Sequence, residues 1–124
     1  MPEYLIAFNQ EWVPDLTDEQ LVATIERVTP LRAEMAAAGV LIYTNGLDDD
    51  GPLFSVDASS GTPTFVDGPY AESKEHLGGF AVVDVADEEA ARLWAGKIAV
   101  ACGWPQEVRR FRTSRRNADS NSDQ

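Results

Sequence analysis

Residues 80–105, FAVVDVADEEAARLWAGKIAVACGWP, contain a strand, a helix start and a helix stop in one continuous run. Phe80 to Val85 is rich in strand-forming side chains and follows a Gly78-Gly79 pair. Asp87 offers a side-chain acceptor to the amides that a helix start leaves free, and the helix it caps is predicted to run through Ala101. Ala90, Trp94, Ile98 and Ala101 recur at three- and four-residue spacing and form its inner stripe. Gly103 and Pro105 stop it, and Val108 to Phe111 reads as a short closing strand whose arginines suit a sheet edge.

The first half of the chain repeats this plan. Tyr4 to Phe8 is a short apolar strand, and Asn9 to Asp15 is a connection containing Trp12. Thr17 followed by Gln20 is a capping-box pattern, so a helix begins near Asp18. Its apolar stripe is Leu21, Ile25, Val28, Leu31 and Met35; Gly39 ends it, and Pro30 predicts a kink or brief break within it. Val40 to Tyr43 is a second strand, and Asn45 to Pro52 is an exposed loop. Leu53 to Val56 and Thr64 to Val66 flank a Ser59-Ser60-Gly61 turn and predict a small hairpin. The order of elements matches a split βαβ plan: an α+β, ferredoxin-like domain with an antiparallel sheet and two helices on one face. The uncovered face predicts a homodimer joined through the open sheet.

Composition narrows the function. The chain has 124 residues and a net charge of −11, with 44% apolar side chains, which fits one globular domain. Residues 109–124 hold five arginines against two aspartates, so the acidity is concentrated before them. An acidic body disfavours nucleic acid, whose binding depends on cations that release counterions. No apolar run approaches the roughly 18–20 residues of a membrane span, and no charged-then-apolar leader follows Met1, so a soluble cytoplasmic protein is expected. The single cysteine, Cys102, excludes an intramolecular disulfide and reads as a small buried residue. Asp48-Asp49-Asp50-Gly51 lacks the alternating ligands and distal glutamate of a calcium loop. No metal or cofactor motif is present. Residues 113–124 are polar and predict a disordered tail behind a domain spanning residues 1–112.

One segment reads as a motif. Asp67-Gly68-Pro69-Tyr70-Ala71-Glu72-Ser73-Lys74-Glu75, followed by Leu77-Gly78-Gly79-Phe80, resembles the signature of the YCII-related, or DGPF-domain, family. Tyr70 stands where that family's name has Phe, and the resemblance extends over residues 3–112. It implies a bacterial ferredoxin-like dimer of the α/β-barrel kind, without a known substrate. Some members resemble accessory proteins of extracytoplasmic-function sigma factors. The His-Asp pair proposed for related proteins has no counterpart histidine here in the first helix or second strand.

Two readings of the segment stand side by side. In one, Asp67, Tyr70, Lys74, Glu75 and His76 gather at a sheet-helix pocket, where Lys74 attracts an anionic ligand and a carboxylate or imidazole moves a proton. In the other, Asp67 caps a short helical turn begun by Pro69, and the remaining charges face solvent. Trp12 is the tryptophan expected to face a ligand, and Trp94 the one expected in the core. The function expected from these readings is small-molecule binding, with simple proton transfer where chemistry occurs. The alternative is a non-catalytic module whose arginines, Arg109, Arg110, Arg112, Arg115 and Arg116, touch a protein partner such as a sigma factor.

Overall fold

The computed structural model describes residues 2–71 and 75–113. Strand β1 (Glu3–Asn9) leads through a 3-10 turn (Gln10–Trp12) to helix α1 (Asp18–Ala37), followed by β2 (Leu41–Gly46). A hairpin, β3 (Phe54–Asp57) with β4 (Thr64–Asp67), precedes β5 (Leu77–Asp84), α2 (Glu88–Cys102) and β6 (Glu107–Arg110). The main sheet has the order β2-β5-β1-β6, and every pairing in it is antiparallel. The hairpin forms a separate two-stranded sheet, so the chain makes an open sheet and an arm rather than a closed barrel.

Local chemistry sets the helix ends where the sequence predicts them. The Thr17 hydroxyl accepts from the Gln20 amide at 3.1 Å, and the Gln20 side chain accepts from the Thr17 amide at 2.9 Å. At the other end Gly39 adopts φ +73°, and the Gly39 and Val40 amides donate back to the Ala36 and Met35 carbonyls. The Asp87 carboxylate caps α2 by accepting from the Ala90 amide at 2.9 Å. The break predicted at Pro30 does not occur, because α1 runs unbroken through it. Pro30 and Glu26 both lie on the exposed side, where water can take the carbonyl that loses its helical donor.

Alternation along β1 and β5 assigns the two faces of the sheet. Tyr4 and Ile6 pair with Val83 and Ala81, and all four join Met35 of α1 and Ala91, Trp94 and Ala95 of α2 in one core. Both helices therefore cover the same face. Leu5 and Ala7, paired with Val82 and Phe80, point to the opposite face, where Tyr43 and Phe80 also approach with ring centroids 6.3 Å apart. β6 is an edge strand, as its arginines suggested, and pairs Glu107–Arg110 with Ala7–Tyr4.

Strand β5 begins three residues earlier than its apolar run suggests and takes in both glycines. A Cβ built on Gly78 would lie 2.7 Å from Cε1 of Phe8, and one on Gly79 would lie 2.9 Å from the same ring. The glycine pair thus makes room for an aromatic ring as well as for backbone. We expect Gly79→Ala to destabilise the domain by about 1–3 kcal/mol, the usual cost of overpacking. Urea unfolding of Gly79→Ala, Phe8→Leu and the double variant should show a non-additive recovery when the ring is also removed.

The β3-β4 arm packs chiefly against itself. Phe54 and Phe65 meet edge-on at 5.9 Å yet remain 57% and 66% exposed. Gly68 turns the chain out of the arm at φ +78°, tied back by its amide to the Leu53 carbonyl and by its carbonyl to the Ser55 hydroxyl. The helical turn predicted after Pro69 is not formed at Tyr70 and Ala71, which are bends. Glu72, Ser73 and Lys74 lie outside the described residues, as does the predicted tail beyond Thr113. Among the described residues no helix is long and apolar enough to cross a membrane.

Candidate functional site

The apolar stripe of α1 meets the sheet at only one end. Met35 is buried and Leu31 packs partly against the core, whereas Val28 is half-buried and Ile25 is 54% exposed. The helix stands away from the sheet toward its N-terminus and leaves a cavity of about 390 Å³. Ile6 and Phe8 line it from the sheet, Ile25, Val28 and Met35 from α1, and Trp104 from the segment after α2. Its size and largely apolar lining fall within the range of small-molecule sites.

Two contacts hold this geometry. The Arg27 guanidinium reaches from α1 to α2, donating from Nε to the Ala101 carbonyl at 2.9 Å and from Nη2 to the Thr24 hydroxyl at 3.1 Å. Trp104 meets the Phe8 ring edge-on at 5.4 Å, which ties the post-helix segment to the sheet. The Trp104 indole N–H is shielded from solvent and has no acceptor among the described residues. A buried donor without a partner is costly.

The tryptophan that lines the cavity is Trp104; Trp12 is absent from that lining. Trp94 lies in the core as expected, with the Lys97 ammonium 5.1 Å from its ring centroid. Cys102 also lines the cavity, and burial pushes its thiol pKa up against the opposing pull of Arg27. That environment disfavours the thiolate and any nucleophilic role.

The residues of the Asp67–His76 segment separate into two groups. Glu75 and His76 lie just before β5, beside the end of β1, where the Asn9 side-chain amide donates to the Glu75 carboxylate at 3.4 Å. Asp67 and Tyr70 lie on the arm and its exit, both exposed, while Lys74 is outside the described residues. Neither Asp67, Tyr70, Glu75 nor His76 lines the cavity. Glu75 and His76 shortly precede Gly78, whose carbonyl accepts from the Leu47 amide, next to the lining residue Gly46.

A partner for His76 emerges that the sequence did not single out. Glu11, in the 3-10 turn, accepts from the His76 backbone amide at 2.9 Å through one carboxylate oxygen and meets Nδ1 at 2.5 Å through the other. The Gln10 amide donates to the His76 carbonyl at 2.7 Å, so the turn grips this residue through backbone and side chain together. The side chain of His76 lowers the Glu11 pKa, with help from its backbone N–H. An imidazole oriented by a carboxylate can transfer protons, a common role for histidine. Among the described residues there is no group of three His, Cys, Asp or Glu side chains suited to hold a metal ion.

The direction of the Glu11 shift sets a pH dependence. A carboxylate held below its ordinary range stabilises the clasp at higher pH and releases it as pH falls through the folded-state value. A carboxyl carbon titration by NMR should place Glu11 below the usual glutamate range. In His76→Ala the same resonance should titrate at higher pH, because the ring contact is lost while the backbone contact remains.

Residues 8–104 match the family model of the YCII-related domain. A comparison with curated proteins finds no match. The matched span runs from Phe8, through the Gly78-Gly79 pair on which its ring rests, to Trp104, against which that ring packs. With most of its length matched, this chain belongs to the YCII-related family.

Proposed function

We propose that this chain is a ferredoxin-like subunit of a homodimer that binds a small molecule between its sheet and α1. The observation that carries this reading is the cavity of about 390 Å³, apolar through most of its lining and bordered by Trp104 with its unpartnered indole N–H. The antiparallel order β2-β5-β1-β6, with one helix after β1 and another after β5, supports the ferredoxin-like assignment.

Dimerisation is supported by the sheet's second face. Leu5, Ala7, Phe80 and Val82 form an apolar centre there, with no helix over it among the described residues. A two-stranded arm is marginal alone, and the exposed Phe54 and Phe65 of β3-β4 add to the surface a second copy would cover. Face-to-face packing of two such sheets would give the dimeric barrel arrangement. Val82→Glu would put a charge at the centre of that contact and should convert a dimer to a folded monomer in analytical ultracentrifugation, with unchanged helical circular dichroism.

The acid-base component of the proposal is the Asp67–His76 segment. His76, oriented by Glu11 and adjacent to Glu75, is the group suited to move a proton. The binding reading is tested by a thermal-shift panel of small acids, alcohols and amines, run in parallel on Val28→Phe, which fills the cavity. Compounds that raise the melting temperature of the natural protein should fail to do so in the filled variant. Unchanged stabilisation of Val28→Phe would remove the cavity from the account.

A further inference from the structure

The charge of the cavity contrasts with the charge of the chain. Asp and Glu supply 21 of the 124 residues, yet neither occurs among the residues lining the space beneath α1. Among the described residues the one charged lining residue is Arg32. Neighbouring cations are engaged elsewhere: Arg27 with Ala101 and Thr24, Lys97 with Glu34, and Arg92 with Glu88. Arg32 has no ion-pair partner among the described residues.

The polar lining groups divide in the same direction. The hydroxyls of Thr24, Thr29 and Thr44 donate to the backbone carbonyls of Gln20, Ile25 and Phe80. Their protons are already committed. Among the described residues the Trp104 indole N–H has no acceptor, and the guanidinium of Arg32 has no carboxylate partner. Among the described residues the cavity therefore offers apolar walls and a cation, with no anionic acceptor. An amine would meet Arg32 with like charge and find no carboxylate to replace its water.

We infer that the ligand is a small carboxylic acid with an apolar body, its hydrocarbon against Phe8, Val28 and Met35 and its carboxylate drawn to Arg32. This inference rests on the binding reading above and adds the chemical class. Trp104 adds its ring to the apolar wall, and Arg32 supplies the discrimination between an acid and its uncharged analogue. Because Arg32 is exposed, its share of the binding declines with added salt, while the apolar share does not.

Isothermal titration of the full chain with octanoate, octanol and octylamine separates these contributions. Octanoate should bind about tenfold more tightly than octanol at low salt, and octylamine more weakly than either. Arg32→Gln should reduce octanoate to the level of octanol, and raised salt should narrow the gap in the natural protein. Trp104→Phe should weaken acid and alcohol alike. Equal binding of acid and alcohol, or a preference that survives Arg32→Gln, would overturn the acid inference and leave the cavity reading standing. Binding of none of the three would also overturn it, with the thermal-shift comparison of Val28→Phe deciding the cavity separately. Binding that persists in Val28→Phe would defeat both.

Discussion

The ring of Phe8 occupies the volume that side chains at positions 78 and 79 would need, and much of the molecule is arranged around that fit. It lets the end of β1 lie close against the start of β5, at the point where the β1-β5 register shifts between Phe8 and Asn9. The same ring takes the edge of Trp104 and lines the cavity. One aromatic side chain thus connects the central strand pair, the segment after α2 and the candidate ligand site. Dense packing makes such a contact sensitive to single methyl groups, since neighbours can relax only partially.

The cavity follows from how two helices share one sheet face. α2 buries Ala91, Trp94 and Ala95 closely, and small alanines let its backbone approach. α1 reaches the core through Met35, while Arg27 fastens it laterally to the carbonyl end of α2. The separation of α1 from the sheet is consequently held by a hydrogen-bonded strap as well as by packing. Space that would otherwise collapse is kept open beside an indole N–H that has no partner among the described residues.

Much of this architecture was legible in the sequence, and the illegible parts share a cause. Thr17 with Gln20, Asp87, Gly39 and the Ser59–Gly61 turn are local signals, and each marks the feature expected of it. Of the stripe that periodicity marked on α1, Leu31 and Met35 reach the core, Ile25 and Val28 face the cavity and Leu21 is exposed, because spacing carries direction without distance. The brief break expected as one outcome at Pro30 does not occur, because water on the exposed face can take the carbonyl that loses its donor. At the candidate site, His76 was visible as the sole histidine, but Glu11 was not, being separated from it by most of the chain. The strand order contained the clue: β1 and β5 are antiparallel neighbours, so the residues just after β1 adjoin those just before β5. The Gly78-Gly79 pair likewise signalled a bulky neighbour, though not which one.

The position of β1 has a consequence for how the chain comes to its fold. This strand lies between β5 and β6, so neither of its neighbours exists when it leaves the ribosome. Leu5 to Phe8 must wait, with both backbone edges open, until residues 77–84 have been synthesised. Helix α1 and the β3-β4 hairpin can form from nearby residues during that interval, shortening the distance over which the ends must meet. The centre of the sheet is therefore among the last parts to close, and an unpaired apolar strand is the vulnerability a nascent chain of this topology carries.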